Sequence, residues 1–461
     1  MLWKPADRPD ITVSLTDRAL TIARSDTLVV AWDRGGRLYS VWDAGRTCRR
    51  GLNGCVLVKW RERGARLRAW ASEDDAAALV DRAAAVAREV STAQAGLKPC
   101  SATEASASAP VGQGFPPSRG SLRRVRATAR PRRSSVGSPG TEAGSLAADP
   151  APVGQGFSLA ADPAPVGQGF GLAGLARVLG RAAAFDATAA AADAAAFRAI
   201  YRPIGILPPD HYLSLVLQAT EGCSFRCCTF CDFHTEPYRV KSAAQFTAHV
   251  PAVVDYLGES MSLRNRAVFL GSANALAVPT SGLLPIFDVL AGEWPGRPVH
   301  AFLDGFTGTL KGADEYRALG ERRLQRVYLG LESGCDALLA FVHKPAMSAQ
   351  AIGTVRAARA GGVGVGLIVM LGLGGGRFAE SHVADMAHAI NAMELGAGDL
   401  LYFSELVESP GSPYAGMTRA ADVRALDRDE LTAQRAAIEH RLVFPGAHPR
   451  LAAYDVREFV Y

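Results

Sequence analysis

The chain has 461 residues, enough for about two or three domains, and its 48% hydrophobic and 21% charged residues are ordinary for a globular protein. The net charge is +5, but seven arginines lie between residues 119 and 133, and without them the rest of the chain has a net charge of −2. The charge of the rest of the chain therefore gives no reason to expect nucleic-acid binding there. There is no signal-like opening, and the longest apolar run, residues 361–376, is too short and glycine-rich to span a bilayer. We therefore expect a cytoplasmic protein without a membrane segment.

Residues 1–95 predict a small α+β domain. The runs Thr27 to Trp32 and Arg37 to Trp42 are strand-like and flank a Gly-Gly turn, which predicts a hairpin, and residues 55–60 could add a third strand. Glu73 to Val90 starts with acidic residues and is rich in alanine, which predicts a helix.

Residues 96–171 are of low complexity. Ser145 to Phe157 is repeated without change as Ser158 to Phe170, and a segment so rich in Pro, Gly and Ala has too little apolar surface to build a core. We interpret it as a disordered linker. The arginine cluster at 119–133 inside it could contact RNA, although such runs are more often simply solvated.

A helical lead-in is predicted over residues 172–210, followed by a regular alternation of strands and helices over 211–445 and a C-terminal tail at 446–461. Six strand–helix units fit within the alternating region. This pattern indicates an α/β fold with a parallel sheet under helical cover, in which chemistry gathers at the carboxyl ends of the strands. The predicted strands are 212–219, 266–270, 299–303, 326–331, 364–371 and 400–404.

Four cysteines directly follow the first of these strands: Cys223, Cys227, Cys228 and Cys231. Thiolates at this density favour a soft metal centre. A zinc site or a redox pair would be the simpler alternatives. Zinc normally needs a second ligand pair at suitable spacing, and no second Cys-x2-Cys exists in the chain.

The cysteine segment resembles the cluster loop of radical S-adenosylmethionine (SAM) enzymes, Cys-x3-Cys-x2-Cys with an aromatic residue before the last cysteine. The resemblance implies a partial (β/α)6 TIM-like barrel and a [4Fe-4S] cluster that binds SAM at its open iron. It also implies reductive cleavage of SAM to a 5′-deoxyadenosyl radical, hydrogen abstraction from an unknown substrate, and an electron donor of flavodoxin or ferredoxin type.

This sequence carries one cysteine more than the family pattern. Cys227 completes the x3 spacing from Cys223, whereas Cys228 completes the x2 spacing to Cys231. We favour Cys223, Cys228 and Cys231 as the cluster ligands and keep Cys227 as an alternative ligand. A metal-binding or RNA-associated module with a degenerate cluster site is the alternative function.

The resemblance further implies SAM contacts after the successive strands. Residues 330–334 (GLESG) resemble the methylthiotransferases, and the core as a whole resembles these and the coproporphyrinogen-oxidase-like enzymes. The family's Gly-Gly-Glu is replaced by residues 272–274, so an amide stands in place of the acid. The implied cofactor contacts are Phe230, Ser272, Ala273, Asn274, Asp304, Glu332, Ser333 and Gly372.

The substrate is not identified by any motif. No second cysteine cluster and no cobalamin-type Asp-x-His-x-x-Gly occurs, which makes methylthiolation and cobalamin-dependent methylation less expected. Tyr402, Glu405, Glu408 and His300 could line the substrate side, and core packing explains Tyr402 and His300 equally well. The amino-terminal domain could instead recognise a partner and deliver a macromolecular substrate.

Overall fold

The computed structural model of the chain describes residues 1–93, 97–99, 171–231, 236–271, 274–306, 310–408 and 411–461. The 13-residue repeat, the arginine cluster, and Ser272 and Ala273 of the implied SAM site lie outside the described residues. The predicted domain boundaries remain predictions.

The amino-terminal part forms a nine-stranded antiparallel sheet in the order β8-β7-β6-β5-β4-β3-β2-β1-β9. The predicted hairpin is its β4–β5 pair, and residues 97–99, assigned to the linker by sequence, form the edge strand β9 beside β1. The strands are β1 (Leu2–Pro5), β2 (Ile11–Leu15), β3 (Ala19–Arg24), β4 (Leu28–Asp33), β5 (Leu38–Asp43), β6 (Arg46–Arg50), β7 (Val56–Glu62), β8 (Ala65–Trp70) and β9 (Leu97–Pro99).

Two helices cover one face of this sheet. The predicted helix is α1 (Glu73–Thr92), and the Ser72 side chain caps it by accepting a hydrogen bond from the Asp75 N–H. The second helix, α2 (Leu172–Ala184), buries Leu175, Val178 and Leu179 in the same apolar cluster. The sheet therefore has a core of its own, because alternate strand residues face these helices.

The second half of the chain forms a seven-stranded parallel sheet whose strands follow one another in chain order, β10-β13-β14-β15-β16-β17-β18. This architecture confirms the predicted α/β barrel-like core. Its strands are β10 (Leu215–Leu217), β13 (Val268–Leu270), β14 (Val299–Leu303), β15 (Leu324–Glu332), β16 (Gly364–Leu371), β17 (Leu400–Glu405) and β18 (Arg450–Ala453). Between β10 and β13 lie the short strands β11 (Thr220–Glu221) and β12 (Arg239–Val240).

Helices connect and cover the parallel strands. They are α3 (Ala187–Ile200), α4 (Ala243–Leu257), α5 (Thr280–Glu293), α6 (Ala313–Glu321), α7 (Asp336–Phe341), α8 (Ser348–Ala360), α9 (Gly375–Met393), α10 (Pro413–Ala420) and α11 (Arg428–Arg441). Among the described helices, none combines the length and apolar character that crossing a membrane requires.

A seventh strand, β18, was not predicted from the sequence. It lies within the predicted C-terminal tail and pairs in parallel with β17 from Leu400↔Arg450 to Phe403↔Ala453. Four residues with one large apolar side chain give no periodic signal, so only the pairing defines this strand.

A polar cluster lies on the inner face of the sheet, in which His211, Tyr328 and Tyr402 are buried and Asp210 is partly exposed. The Tyr328 hydroxyl donates to Asp210 Oδ2 at 2.5 Å, the Tyr402 hydroxyl donates to Asp210 Oδ1 at 2.9 Å, and His211 Nε2 lies 2.8 Å from the Tyr328 oxygen. Gly366 makes room, since a Cβ there would lie 2.3 Å from the Tyr328 ring. Tyr402 therefore belongs to the packed floor of the barrel.

A buried ion-pair cluster joins the two halves of the chain. Asp193 of α3 accepts from Arg37 Nε at 2.6 Å and pairs with Arg50 at 3.4 Å, and the Asp193 side chain is only 8% exposed. Arg37 also donates to the carbonyls of Tyr256 and Leu257 at the end of α4. The amino-terminal sheet is thus held against the barrel by charge as well as by packing.

Replacing Asp193 with alanine leaves two largely buried guanidinium groups without their carboxylate. We expect the free energy of unfolding to fall by about 3 kcal/mol or more, as for other broken buried pairs, in a urea titration followed by circular dichroism. The matched control is Asp288→Ala, whose partner Arg322 lies at the surface, with an expected loss below about 1 kcal/mol. Equal losses in the two variants would contradict the proposed role of Asp193.

Candidate cofactor site at the carboxyl ends of the parallel strands

The cysteine loop leaves the first parallel strand at its carboxyl end, as predicted. β11 and β12 pair across the base of the loop, Thr220 with Val240 and Glu221 with Arg239. Lys241 forms an ion pair with Glu221 at the same base. Both ends of the loop are therefore held at the sheet edge.

The middle of the loop is tied to neighbouring loops. The Thr229 N–H donates to the Val342 carbonyl at 3.1 Å, and the Thr229 carbonyl accepts from the Tyr414 N–H at 3.1 Å. The Cys231 N–H donates to the Cys228 carbonyl at 3.3 Å, which places these two cysteines on one tight turn. The Cys-x2-Cys half of the motif is thus the more rigidly supported half.

The four thiols differ in exposure. Cys223 and Cys228 are half-buried, whereas Cys227 and Cys231 are exposed. In the part of the chain that the structure describes, no three His, Cys, Asp or Glu side chains form a group that could hold a single metal ion.

Cys228 lies at the electrostatic centre of the loop. Burial raises the pKa of its thiol to about 12; the positive charge of Lys344 opposes this rise, and negative charges on Cys231, Glu332 and Cys223 add to it. Cys228 therefore interacts with both other favoured ligands, and it must lose a proton to bind a metal.

Glu332 and Lys344 form a buried ion pair beside the cysteines. Their Oε1 and Nζ atoms are 3.3 Å apart, and the side chains are 12% and 9% exposed. Burial alone would lower the pKa of Lys344, but the Glu332 carboxylate raises it, as do Cys228 and Cys231 when they are ionised, so the ammonium stays charged. A positive charge is therefore held against the cysteine loop.

The backbone of Glu332 is strained in a way that serves this contact. Its φ is +61°, in the left-handed region that non-glycine residues rarely occupy, and the register between β15 and β16 shifts at this point. Gly330 leaves the space into which the carboxylate folds, because a Cβ there would lie 2.3 Å from Glu332 Oε1. The buried Oε2 has no hydrogen-bond partner among the described residues, which makes it available to a ligand.

Three polar side chains from successive loops form a second cluster. Asn274 Nδ2 donates to Asp304 Oδ2 at 2.6 Å, and the Ser224 hydroxyl donates to the same oxygen at 3.3 Å. The Tyr238 hydroxyl donates to the Asn274 carbonyl at 3.2 Å. The acid that the family pattern places after the second strand is absent here, but Asp304 brings a carboxylate to the Asn274 side chain.

Two of the implied SAM contacts, Ser333 and Gly372, form hydrogen bonds with other residues of the protein. The Ser333 hydroxyl is fully buried, lies 2.9 Å from His382 Nδ1 and accepts from the Cys335 N–H at 3.0 Å. Gly372 has φ +82° and donates its N–H to Gln434 Oε1 at 2.8 Å. Packing therefore accounts for both residues.

Phe230 is placed where the sequence puts it, next to Cys231. Like Met370 and Leu406, it packs against the buried apolar cluster of Cys335, Leu338, Val342, Leu373 and Tyr414.

Sequence reasoning missed Lys344 and Tyr238. Neither residue belongs to a recognisable motif of its own. A lysine in a sequence usually indicates a solvent-exposed position rather than a buried charge. The signal that could have found Lys344 is its place in the run 338–345 (LLAFVHKP), which follows Glu332 and resembles the same relatives.

The comparison with known families agrees with this geometry. Residues 217–388 match the family model described as the radical SAM superfamily. Residues 217–388 therefore carry a radical SAM domain, and the chemistry that this superfamily shares is the reductive cleavage of SAM at an iron–sulfur cluster. No curated protein matches the chain.

Solved structures that match part of this chain include the cobalamin-dependent SAM radical enzyme OxsB (12% identity, TM-score 0.33) and the radical SAM methyltransferase TsrM from Kitasatospora setae (16%, 0.34). They cover 51% and 44% of this chain, and the match spans 33% and 36% of theirs. Coproporphyrinogen III oxidase (HemN) from Escherichia coli matches at 11% identity and TM-score 0.33, covering 53% of each chain.

The charges around Cys228 predict opposite effects of two substitutions. In the metal-free protein, Lys344→Met removes the cation that favours the thiolate, so Cys228 should react more slowly with iodoacetamide at fixed pH. Glu332→Gln removes an anion and should make Cys228 react faster. Each unit of pKa change corresponds to about a tenfold change in thiolate population.

The reaction rates can be followed for each cysteine by peptide mass spectrometry. Exposed Cys227 serves as the internal control and should react at the same rate in all three proteins. Changes of the same sign in both variants would show that disturbed packing, rather than charge, governs Cys228.

Proposed function

We propose that the chain is a radical SAM enzyme whose [4Fe-4S] cluster is held by Cys223, Cys228 and Cys231. The observation that carries the proposal is the placement of Cys228, which is half-buried and lies on one tight turn with Cys231, while Cys227 is exposed. Three thiolates fit a cluster with one open iron position. When bound, the cluster supplies the electron that splits SAM into methionine and a 5′-deoxyadenosyl radical, which removes a hydrogen atom from the substrate.

The polar residues around the loop match the charges on the methionyl end of SAM. Lys344 offers a buried ammonium to the carboxylate, and Asp304 offers a carboxylate oxygen to the amino group, oriented by Asn274 and Ser224. The unpartnered Oε2 of Glu332 would accept from a ribose hydroxyl or the amino group. Charge-assisted hydrogen bonds of this kind are worth more when they are shielded from water.

The remaining SAM candidates have supporting roles in this proposal. Phe230 would form the wall beside the adenine, whereas Ser333 and Gly372 support the turns on which the contacts depend. Enzymes of the superfamily typically need an electron donor, and we propose a flavodoxin or ferredoxin for this chain. The exposed side of the loop, with Cys227 and Cys231, is the face from which the electron would arrive.

Alanine substitution of single cysteines tests the ligand assignment. After anaerobic reconstitution with iron and sulfide, we expect Cys223→Ala, Cys228→Ala and Cys231→Ala to lose the cluster absorbance and its reduced-state electron paramagnetic resonance signal. They should form no 5′-deoxyadenosine from SAM and dithionite. Cys227→Ala is the matched control and should retain both the cluster and the activity.

The two readouts separate the possible failures. Loss of the cluster in Cys227→Ala but not in Cys228→Ala would reassign the ligand while leaving the enzyme class intact. An intact cluster without 5′-deoxyadenosine in the unmodified protein would instead favour a metal-binding module without radical chemistry.

Asp304→Asn tests the SAM contact, because it removes the charge and keeps the shape. We expect the Kd for SAM to rise by about tenfold, measured by calorimetry on the reconstituted protein, since a hydrogen bond to a charged group contributes about 1.5–3 kcal/mol. Asp314→Asn makes the same change at a side chain on α6 that is 93% exposed, and as the control it should leave this Kd unchanged. An unchanged Kd in Asp304→Asn, or an equal rise in Asp314→Asn, would contradict the assignment.

A further inference from the structure

A cavity of about 570 Å³ lies above the floor of the barrel, beside the cysteine loop. Met370 and Ser404 form part of its wall and are register partners on β16 and β17. Each lies two residues beyond the floor pair Ile368 and Tyr402, so all four side chains share the inner face of the sheet. The cavity is therefore the upper part of the barrel interior.

The wall of the cavity comes from distant parts of the chain. The amino-terminal sheet contributes Asn53, Cys55 and Trp70, the lead-in contributes six residues within 197–205, and the carboxyl-terminal segment contributes five residues within 456–461. Phe230 of the cysteine loop contributes the side that faces the proposed cluster.

The amino-terminal sheet is fastened to the carboxyl-terminal segment that it meets here. Lys59 pairs with Glu458 at 3.3 Å, and Arg68 forms an ion pair with Asp455. On the other side, Arg198 Nη1 donates to the Asn53 carbonyl at 3.0 Å. These contacts hold the amino-terminal part of the cavity wall in place against the rest of the protein.

The lining is mainly aromatic and aliphatic. Phe197 and Tyr201 stack at 4.7 Å, and Tyr461 lies 6.3 Å from each ring. The charged side chains Arg198, Glu405 and Arg457 also line the cavity, and Arg457 is already paired with Asp455. Such a surface favours a ligand whose bulk is apolar.

Ser404 places a buried hydroxyl in the wall of the cavity. Its residue is 2% exposed, and its hydroxyl has no hydrogen-bond partner within the described part of the chain. A buried hydroxyl without a partner is costly, and a ligand atom in the cavity would relieve that cost.

We propose that this cavity binds the substrate, and that the substrate is a compact, mostly apolar, ring-containing small molecule with one polar group that bonds to Ser404. The inference rests on the proposed function, which supplies the reaction that the bound substrate would undergo. It makes the amino-terminal sheet part of the wall of the active site. A cavity of this volume suits a small molecule and excludes a folded protein or a nucleic-acid duplex.

The first test uses 8-anilinonaphthalene-1-sulfonate as an apolar, ring-containing probe. We expect one molecule to bind per chain, with fluorescence enhancement, and to slow alkylation of Cys55 in the cavity wall. Cys48, on β6 and outside the lining, is the internal control. Probe binding that leaves the Cys55 rate unchanged would overturn the assignment of the cavity as a ligand site.

Cavity-filling variants give the matched comparison. Ser404→Trp and Val407→Trp each fill part of the cavity with a large ring, and each should weaken probe binding at least tenfold. Val443→Trp adds the same ring at a position that is 66% exposed and outside the lining, and it should bind the probe as the unmodified protein does. Having two filling variants guards against one that fails to fold.

The second test links the cavity to turnover. We expect some of the ring-containing compounds that displace the probe to raise the yield of 5′-deoxyadenosine. Val407→Trp should abolish this increase. Stimulation only by peptides or nucleotides that leave the probe bound would overturn the substrate class. If the protein forms no 5′-deoxyadenosine but the probe tests succeed, the proposed function fails and the ligand cavity stands.

Discussion

The parallel direction of seven adjacent strands is the constraint on which the rest of this molecule depends. Because all of them run the same way, their carboxyl ends meet at one edge, and every loop that leaves this edge contributes to the same small volume. The cysteine loop, Asn274, Asp304, Glu332 and Ser404 come from five different strand ends. Far apart in the chain, they become neighbours only through this sheet.

The balance of charge at that edge explains its unusual backbone. Thiolates and carboxylates repel one another, so a loop that gathers several of them needs a buried cation. Lys344 supplies it, and Glu332 adopts a left-handed conformation over Gly330 to hold that cation in place. Strain at one residue is thus compensated by an ion pair that also faces the proposed cluster.

The amino-terminal sheet gives the open side of the barrel a wall. It is anchored on one side through Asp193 and on the other through Asp455 and Glu458, and in between it contributes Trp70 and Cys55 to the cavity. This placement favours a role in enclosing a small substrate over the delivery of a macromolecule. Enclosure also serves radical chemistry, since it excludes water from the reacting groups.

The local patterns of the sequence were sufficient for the strand–helix alternation, the first hairpin, the helix after it and the position of the cysteine loop, because each is encoded within a few neighbouring residues. Which side chains converge could not be predicted in the same way. Cysteine spacing favoured Cys228 over Cys227 as a ligand, but it could not show that Cys228 is half-buried and Cys227 exposed. A Gly-x-Glu-Ser-Gly match likewise did not separate Glu332, which faces the cysteines, from Ser333, which faces His382. Those outcomes depend on burial and on contacts between residues distant in the chain, as do the pairing of β18, the burial of Lys344 and the unpartnered hydroxyl of Ser404.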